Sequence, residues 1–222
     1  MVFADNMVNS RLKERVRHLL EATLTALLFG TQTILDAGWA ISVMSLPLLP
    51  YVIGFLSGQA DPEREIQVLF FSKSVMVGRV IALIGVIVLL LAAMQWLWNH
   101  AKGGGLIKKG AYSVVRHPQF TSIIIITIGL TVMVLTYSSG NPLQIVPLWL
   151  IQILGYIALA RYEETHLLKR FGDSFRQYKR DVPFLFPVRS PHRIPETLFT
   201  ILIAVLICVI LLFFPYDLIR IL

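Results

Sequence analysis

Residues 75–98 read VMVGRVIALIGVIVLLLAAMQWLW, an apolar run whose single charge, Arg79, lies near its start. At 1.5 Å of rise per residue a helix of that run is about 36 Å long, which exceeds the ~30 Å hydrocarbon core of a bilayer. It is apolar around its whole circumference, so lipid is its natural solvent and the stretch predicts a membrane-spanning helix. Three further runs, 120–137, 143–160 and 197–214, predict spans of the same kind.

Composition agrees. Of 222 residues, 56% are hydrophobic and only 15% charged, and the mean hydropathy is +0.71, well outside the usage of an ordinary soluble domain. Residues 19–56 are too long for one span and are interrupted by Asp36, Pro47 and Pro50. They predict one crossing plus an interfacial or kinked piece.

Charge in the connections gives an orientation. Lys102, Lys108, Lys109 and Arg116 face no acid in residues 99–119, and residues 161–196 are also net basic, so both should face the cytoplasm. Residues 57–74 carry Asp61, Glu63 and Glu65 against Arg64 and Lys73, and 138–142 carry no charge, which suits the outer side. Five spans, with the amino terminus inside and the carboxyl terminus outside, satisfy every connection. The expected fold is therefore all-α, a polytopic bundle with amino-terminal spans in 1–98, a central region in 99–195 with a helical hairpin, and a carboxyl-terminal span in 196–222. No cleavable leader is expected, since the first residues are mixed polar and no small-residue cleavage pattern follows the first apolar run.

The net charge of +7 does not argue for nucleic acid, because the basic residues flank spans and no aromatic-basic platform accompanies them. Anionic lipid headgroups are the simpler partner. One cysteine, Cys208, excludes an intramolecular disulfide framework. The glycines Gly103–Gly105 fail as a phosphate loop, since Lys108 stands where a further glycine is needed, and read as a flexible elbow. Glu163 and His166 are spaced like a metal-ligand pair, but further ligands are lacking nearby, so His166 is assigned to structure and no metal is expected.

Two polar clusters stand at span ends. The first runs from Gly110 through Tyr112, Val115, Arg116, His117 and Pro118 to Phe120, where the proline ends any helix at His117 and frees backbone groups. The second is Arg161-Tyr162-Glu163-Glu164, followed by Leu167, Leu168, Phe171 and Phe175 at helical spacing, with Gly172 a bend. Two spans separate the clusters, so both return to one membrane face and can be neighbours.

Gly110, Tyr112, Arg116, His117 and Pro118, followed by Glu163, Glu164, Leu167, Phe171, Gly172, Tyr178, Val182 and Pro183, resemble the pattern of the isoprenylcysteine carboxyl methyltransferase and phospholipid methyltransferase group over residues 100–188. The resemblance implies S-adenosylmethionine as donor, a cytoplasmic cofactor pocket formed by the loop before one span and the helix after the hairpin, and a lipophilic acceptor from the bilayer. The acceptor it implies is an isoprenylated cysteine carboxylate or, as an alternative, a phosphatidylethanolamine-type amine. It places Tyr112, Val115, His117, Pro118, Phe120, Glu164 and Leu167 at the donor, with Arg116 and Glu163 catalytic. Arg116 would fork onto a substrate carboxylate, and Glu163 would serve an amine acceptor. The chain departs from the pattern at Gln119-Phe120-Thr121-Ser122, where Phe120 stands in place of the usual tyrosine and loses its hydroxyl. Membrane sterol-type reductases resemble the same region and imply a nicotinamide nucleotide, but the Glu163-Glu164 pair is of the methyltransferase type. A non-enzymatic scaffold or transporter subunit is the remaining alternative; it would call for a polar path or an inverted repeat, and neither is visible. Taken singly these residues have plainer readings: Arg116 snorkelling to phosphates, the glutamates pairing with Arg161 or Lys169, and Lys179 lying on a solvated helix face.

Overall fold

In the computed structural model, which describes residues 42–57, 67, 70–137 and 142–213, all regular structure among the described residues is helical. A 3-10 turn, Leu46–Leu48, leads into α1 (Leu49–Ser57), and a second, Lys73–Val75, into α2 (Met76–Ala101). The one-turn α3 (Ala111–Val114) precedes α4 (Pro118–Tyr137), α5 (Pro142–Phe171), α6 (Asp173–Asp181) and α7 (Glu196–Phe213). Four of these, α2, α4, α5 and α7, are long and apolar enough to cross a membrane. The protein is a polytopic helical membrane protein.

The four spans coincide with the apolar runs, with one difference of length. The third run ends at residue 160, but its helix continues to Phe171 because nothing in residues 161–171 breaks it. Gly172, at φ 50, then turns the chain into α6. Of the ambiguous stretch 19–56, residues 19–41 lie outside the described residues, and the described part is an apolar helix too short to span, Ser42–Gly54. Pro47 and Pro50 sit in its 3-10 turn and at the start of α1, where a missing N–H costs little.

Glycine lets α2 and α4 touch backbone to backbone. A Cβ on Gly129 of α4 would lie 2.5 Å from the Ala82 nitrogen and the Gly78 oxygen of α2, and one on Gly85 would lie 2.8 Å from the Ile126 nitrogen. Lipid tails are as apolar as leucine, so such helices associate through close packing, which small residues permit. Gly129→Val should destabilise the bundle by about 1–3 kcal/mol, because the atoms it meets are backbone and cannot swing aside. A lower unfolding temperature in detergent checks this.

A polar network ties α1, α4 and α5 within the bundle. The Tyr51 hydroxyl donates to the Thr127 carbonyl at 3.1 Å and shares a 2.9 Å bond with Thr131 Oγ1. Trp149 Nε1 and Gln152 Nε2 both donate to Thr127 Oγ1 at 3.1 Å. All five side chains are buried. A polar group facing hydrocarbon would be unsatisfied, so these bonds fix which face of each helix turns inward. That inward orientation carries to the membrane end of α5, where the charged residues lie.

Candidate functional site

Local chain chemistry presents Arg116 and His117. Gly110 has φ 62, and any Cβ there would collide with the Gln95 side chain. The Ala111 N–H donates to Gln95 Oε1 at 3.1 Å, which anchors α3 on α2. Val115 is extended, and Pro118 opens α4, so Arg116 and His117 lie in the non-helical joint between two helices. The Arg116 N–H, free of any helix, donates to the Pro183 and Phe184 carbonyls at 2.9 and 3.2 Å. Thr121 Oγ1 donates to the Leu185 carbonyl at 2.6 Å. The loop after α6 is thereby strapped across the start of α4.

The last turns of α5 bring Glu163 and Glu164 against this joint. Arg116 Nη1 lies 2.8 Å from Glu164 Oε1, and Arg116 Nη2 lies 2.7 Å from Glu196 Oε2. Glu164 Oε2 takes two more cations, Arg161 Nη1 at 2.8 Å and Lys179 Nζ at 2.9 Å. His117 Nδ1 lies 3.2 Å from Glu163 Oε2, while its Nε2 is 3.7 Å from Glu164 Oε1, beyond a hydrogen bond. Arg116 and Glu164 are buried, with side chains 1% and 5% exposed, but the Glu163 side chain is 46% exposed. Burial of charges on this scale is tolerated only with partners, and here each has them.

Aromatic rings frame the charges. His117 stacks on Phe120 with centroids 5.6 Å apart, and Phe120 stacks on Tyr156 at 5.3 Å. The Arg161 and Arg116 guanidiniums lie over the Phe184 ring at 4.3 and 5.3 Å. Tyr178 donates its hydroxyl to the Tyr112 carbonyl at 2.6 Å. Tyr112 is buried, and its hydroxyl, like Arg116 Nε, has no partner among the described residues. Burial pushes the Tyr112 and Tyr178 phenols up, so both are neutral. Leu167 packs at the edge of the cluster formed by Phe175, Tyr178 and Val182.

Burial alone would lower the His117 pKa, but the Glu163 and Glu164 carboxylates outweigh it and raise it above 6.5. A raised histidine contributes stability that is present in full below the unfolded value and is lost as pH rises through the folded one. The unfolding temperature of the purified protein should therefore fall from pH 6 towards alkaline pH through this group. His117→Asn should flatten that part of the profile.

The structure thus brings Arg116, His117, Phe120, Glu163 and Glu164 into one cluster, with Val115 and Pro118 shaping the joint and Tyr112 and Leu167 beside it. Sequence reasoning did not place Glu196, Phe184 or Lys179 in it. Lys179, read as part of a solvated helix face, reaches Glu164 instead, and the plainer reading in which Glu164 pairs with Arg161 is met. The one available signal for Glu196 was an acid directly after Pro195 at the head of an apolar run. His166 bonds back to the Tyr162 carbonyl of its own helix, 3.0 Å away.

Fold and site together define a multi-pass helical membrane protein with a buried ion cluster where a helical hairpin ends. The chain belongs to the family described as protein of unknown function DUF1295, which matches residues 14–182. No curated protein and no solved structure matches it.

Proposed function

We propose that this protein transfers a methyl group from S-adenosylmethionine to a lipophilic acceptor in the membrane, with an isoprenylated cysteine carboxylate or a similar molecule as the first candidate. The reading is carried by the meeting of Arg116 and His117 with Glu163 and Glu164, the two halves of the sequence pattern, across a pair of spans. The net basic charge of the connections around the site supports a cytoplasmic orientation for it.

The residues present suit such a donor. A half-exposed carboxylate on Glu163 and an unpartnered Tyr112 hydroxyl offer partners for an ammonium and a hydroxyl. S-adenosylmethionine, when bound, supplies a methyl group on a sulfonium, open to in-line displacement without a metal. Glu163 binds the ammonium, and Glu164 orders the cations around it. Arg116 would hold the acceptor's carboxylate through its Nη2 end. The apolar ends of α4 and α5 exclude water from the reacting groups.

A second reading, a sterol-type reductase using NADPH, is favoured by the association of the family with steroid 5-alpha reductase-like membrane proteins. Calorimetry on the detergent-purified protein separates the two. Saturable S-adenosylmethionine binding is expected, weakened about tenfold in Glu163→Gln through loss of a charge-assisted bond. Binding of NADPH alone would transfer the site to the reductase, and binding of neither would remove the enzymatic reading.

A further inference from the structure

Arg116 is held by two carboxylates of different standing. Glu164 is buried on all sides, whereas Glu196 is 31% exposed and forms part of the wall of a cavity of about 240 Å³ between the loop after α6 and α7. Its lining carries the exposed basic residues Arg180, Arg189 and His192, and along α7 it carries Phe199, Thr200 and Ile203 within two turns beyond Glu196. Its residues from Pro183 onward lie beyond the family match at 14–182. They are therefore a place where this chain can differ from others sharing the match.

We infer that Glu196 is an internal latch on Arg116, and that the cavity admits a single-chain amphiphile with an anionic head, which displaces Glu196 from the guanidinium. Three observations carry this. The exchange is like for like, since one anionic oxygen replaces another at Arg116 Nη2 and no buried charge is left unpaired. Glu196 has somewhere to go, because its Oε2 already lies 3.7 Å from Arg161 Nη1. The lining suits both parts of such a ligand, since one cavity carries the cations Lys179 and Arg180 together with Phe199 and Ile203 along the spanning helix. The inference rests on the acceptor role proposed for Arg116, but it requires no donor.

The test uses the full-length protein in phosphatidylcholine nanodiscs without any nucleotide or donor, with tritiated palmitate as probe and scintillation proximity as readout. Palmitate should bind saturably and be displaced by dodecyl phosphate, but not by palmitate methyl ester or by inorganic phosphate at the same concentration. Glu196→Gln should bind palmitate about tenfold more tightly, because the closed latch reduces apparent affinity by the fraction of time it is open. Arg180→Glu, a change at an exposed residue of the cavity lining, should weaken binding by a similar factor. Displacement by the methyl ester would sink the anionic head, and equal displacement by inorganic phosphate would sink the amphiphile. Unchanged affinity in folded Glu196→Gln would overturn the latch. Methyl transfer does not enter the readout, so failure of the latch and failure of the methyltransferase reading are distinguishable.

Discussion

Glu164→Gln should destabilise the protein by about 3–5 kcal/mol, the range for removing one partner from a buried ion cluster. Arg116, Arg161 and Lys179 all lie within 2.9 Å of its carboxylate. An amide of the same shape keeps one acceptor oxygen but no charge, which leaves three cations converging on a neutral group. Lys179 can turn to solvent, being 39% exposed, and Arg161 retains Thr197 as an acceptor at 2.8 Å. Arg116 has no such exit, because its side chain is 1% exposed and only Glu196 remains for it. The cost should therefore fall mainly on the joint before α4. Unfolding followed by tryptophan fluorescence reports the stability, and calorimetry below the transition should show weakened donor binding in the protein that stays folded. A variant as stable as the parent would mean that Glu164 does not organise the cluster.

Arg116→Ala should behave in the opposite way, sparing donor binding and suppressing turnover by about 100-fold or more, the scale of a misplaced reactant. Glu164 keeps Arg161 and Lys179, and Glu196 keeps Arg161 at 3.7 Å, so no carboxylate is stranded. The backbone bonds to the Pro183 and Phe184 carbonyls do not involve the side chain and survive. Arg116→Lys should not restore turnover, because an ammonium is a point charge and cannot hold two carboxylates on separate arms of a fork. Incorporation of tritium from methyl-labelled S-adenosylmethionine into the organic extract of membranes measures the loss. Full incorporation by Arg116→Ala would remove Arg116 from the reaction.

The spans were legible because a bilayer imposes length and apolarity on a helix, and residues 75–98 or 197–214 satisfy both without reference to any neighbour. The bend at Gly172 and the joint at His117-Pro118 were legible for a similar reason, since glycine and proline act on their own backbone. Pairing is another matter. That Gly78 faces Gly129 and Gly85 faces Ile126, or that Thr127 gathers Trp149, Gln152 and Tyr51, depends on helix rotation, which the apolar runs do not specify because their apolar character extends around the helix. The site divides along the same line. Arg116, His117, Glu163 and Glu164 were readable as two local patterns, whereas Glu196 is one acid in an otherwise ordinary span head and gains meaning only from the chain that folds against it. Lys179 looked like its basic neighbours on α6 because charge on a short helix says nothing about which side is covered.

Arg116 and Glu196 are 80 residues apart in sequence, and this separation has a bearing on biosynthesis. At roughly 5–20 residues per second of translation, about 4–16 s pass between synthesis of the guanidinium and synthesis of its second carboxylate. Glu164 and Lys179 emerge within that interval, so the nascent chain first assembles an under-neutralised cluster at the membrane surface. Arrival of α7 supplies the missing negative charge, so the cluster can close only late in synthesis.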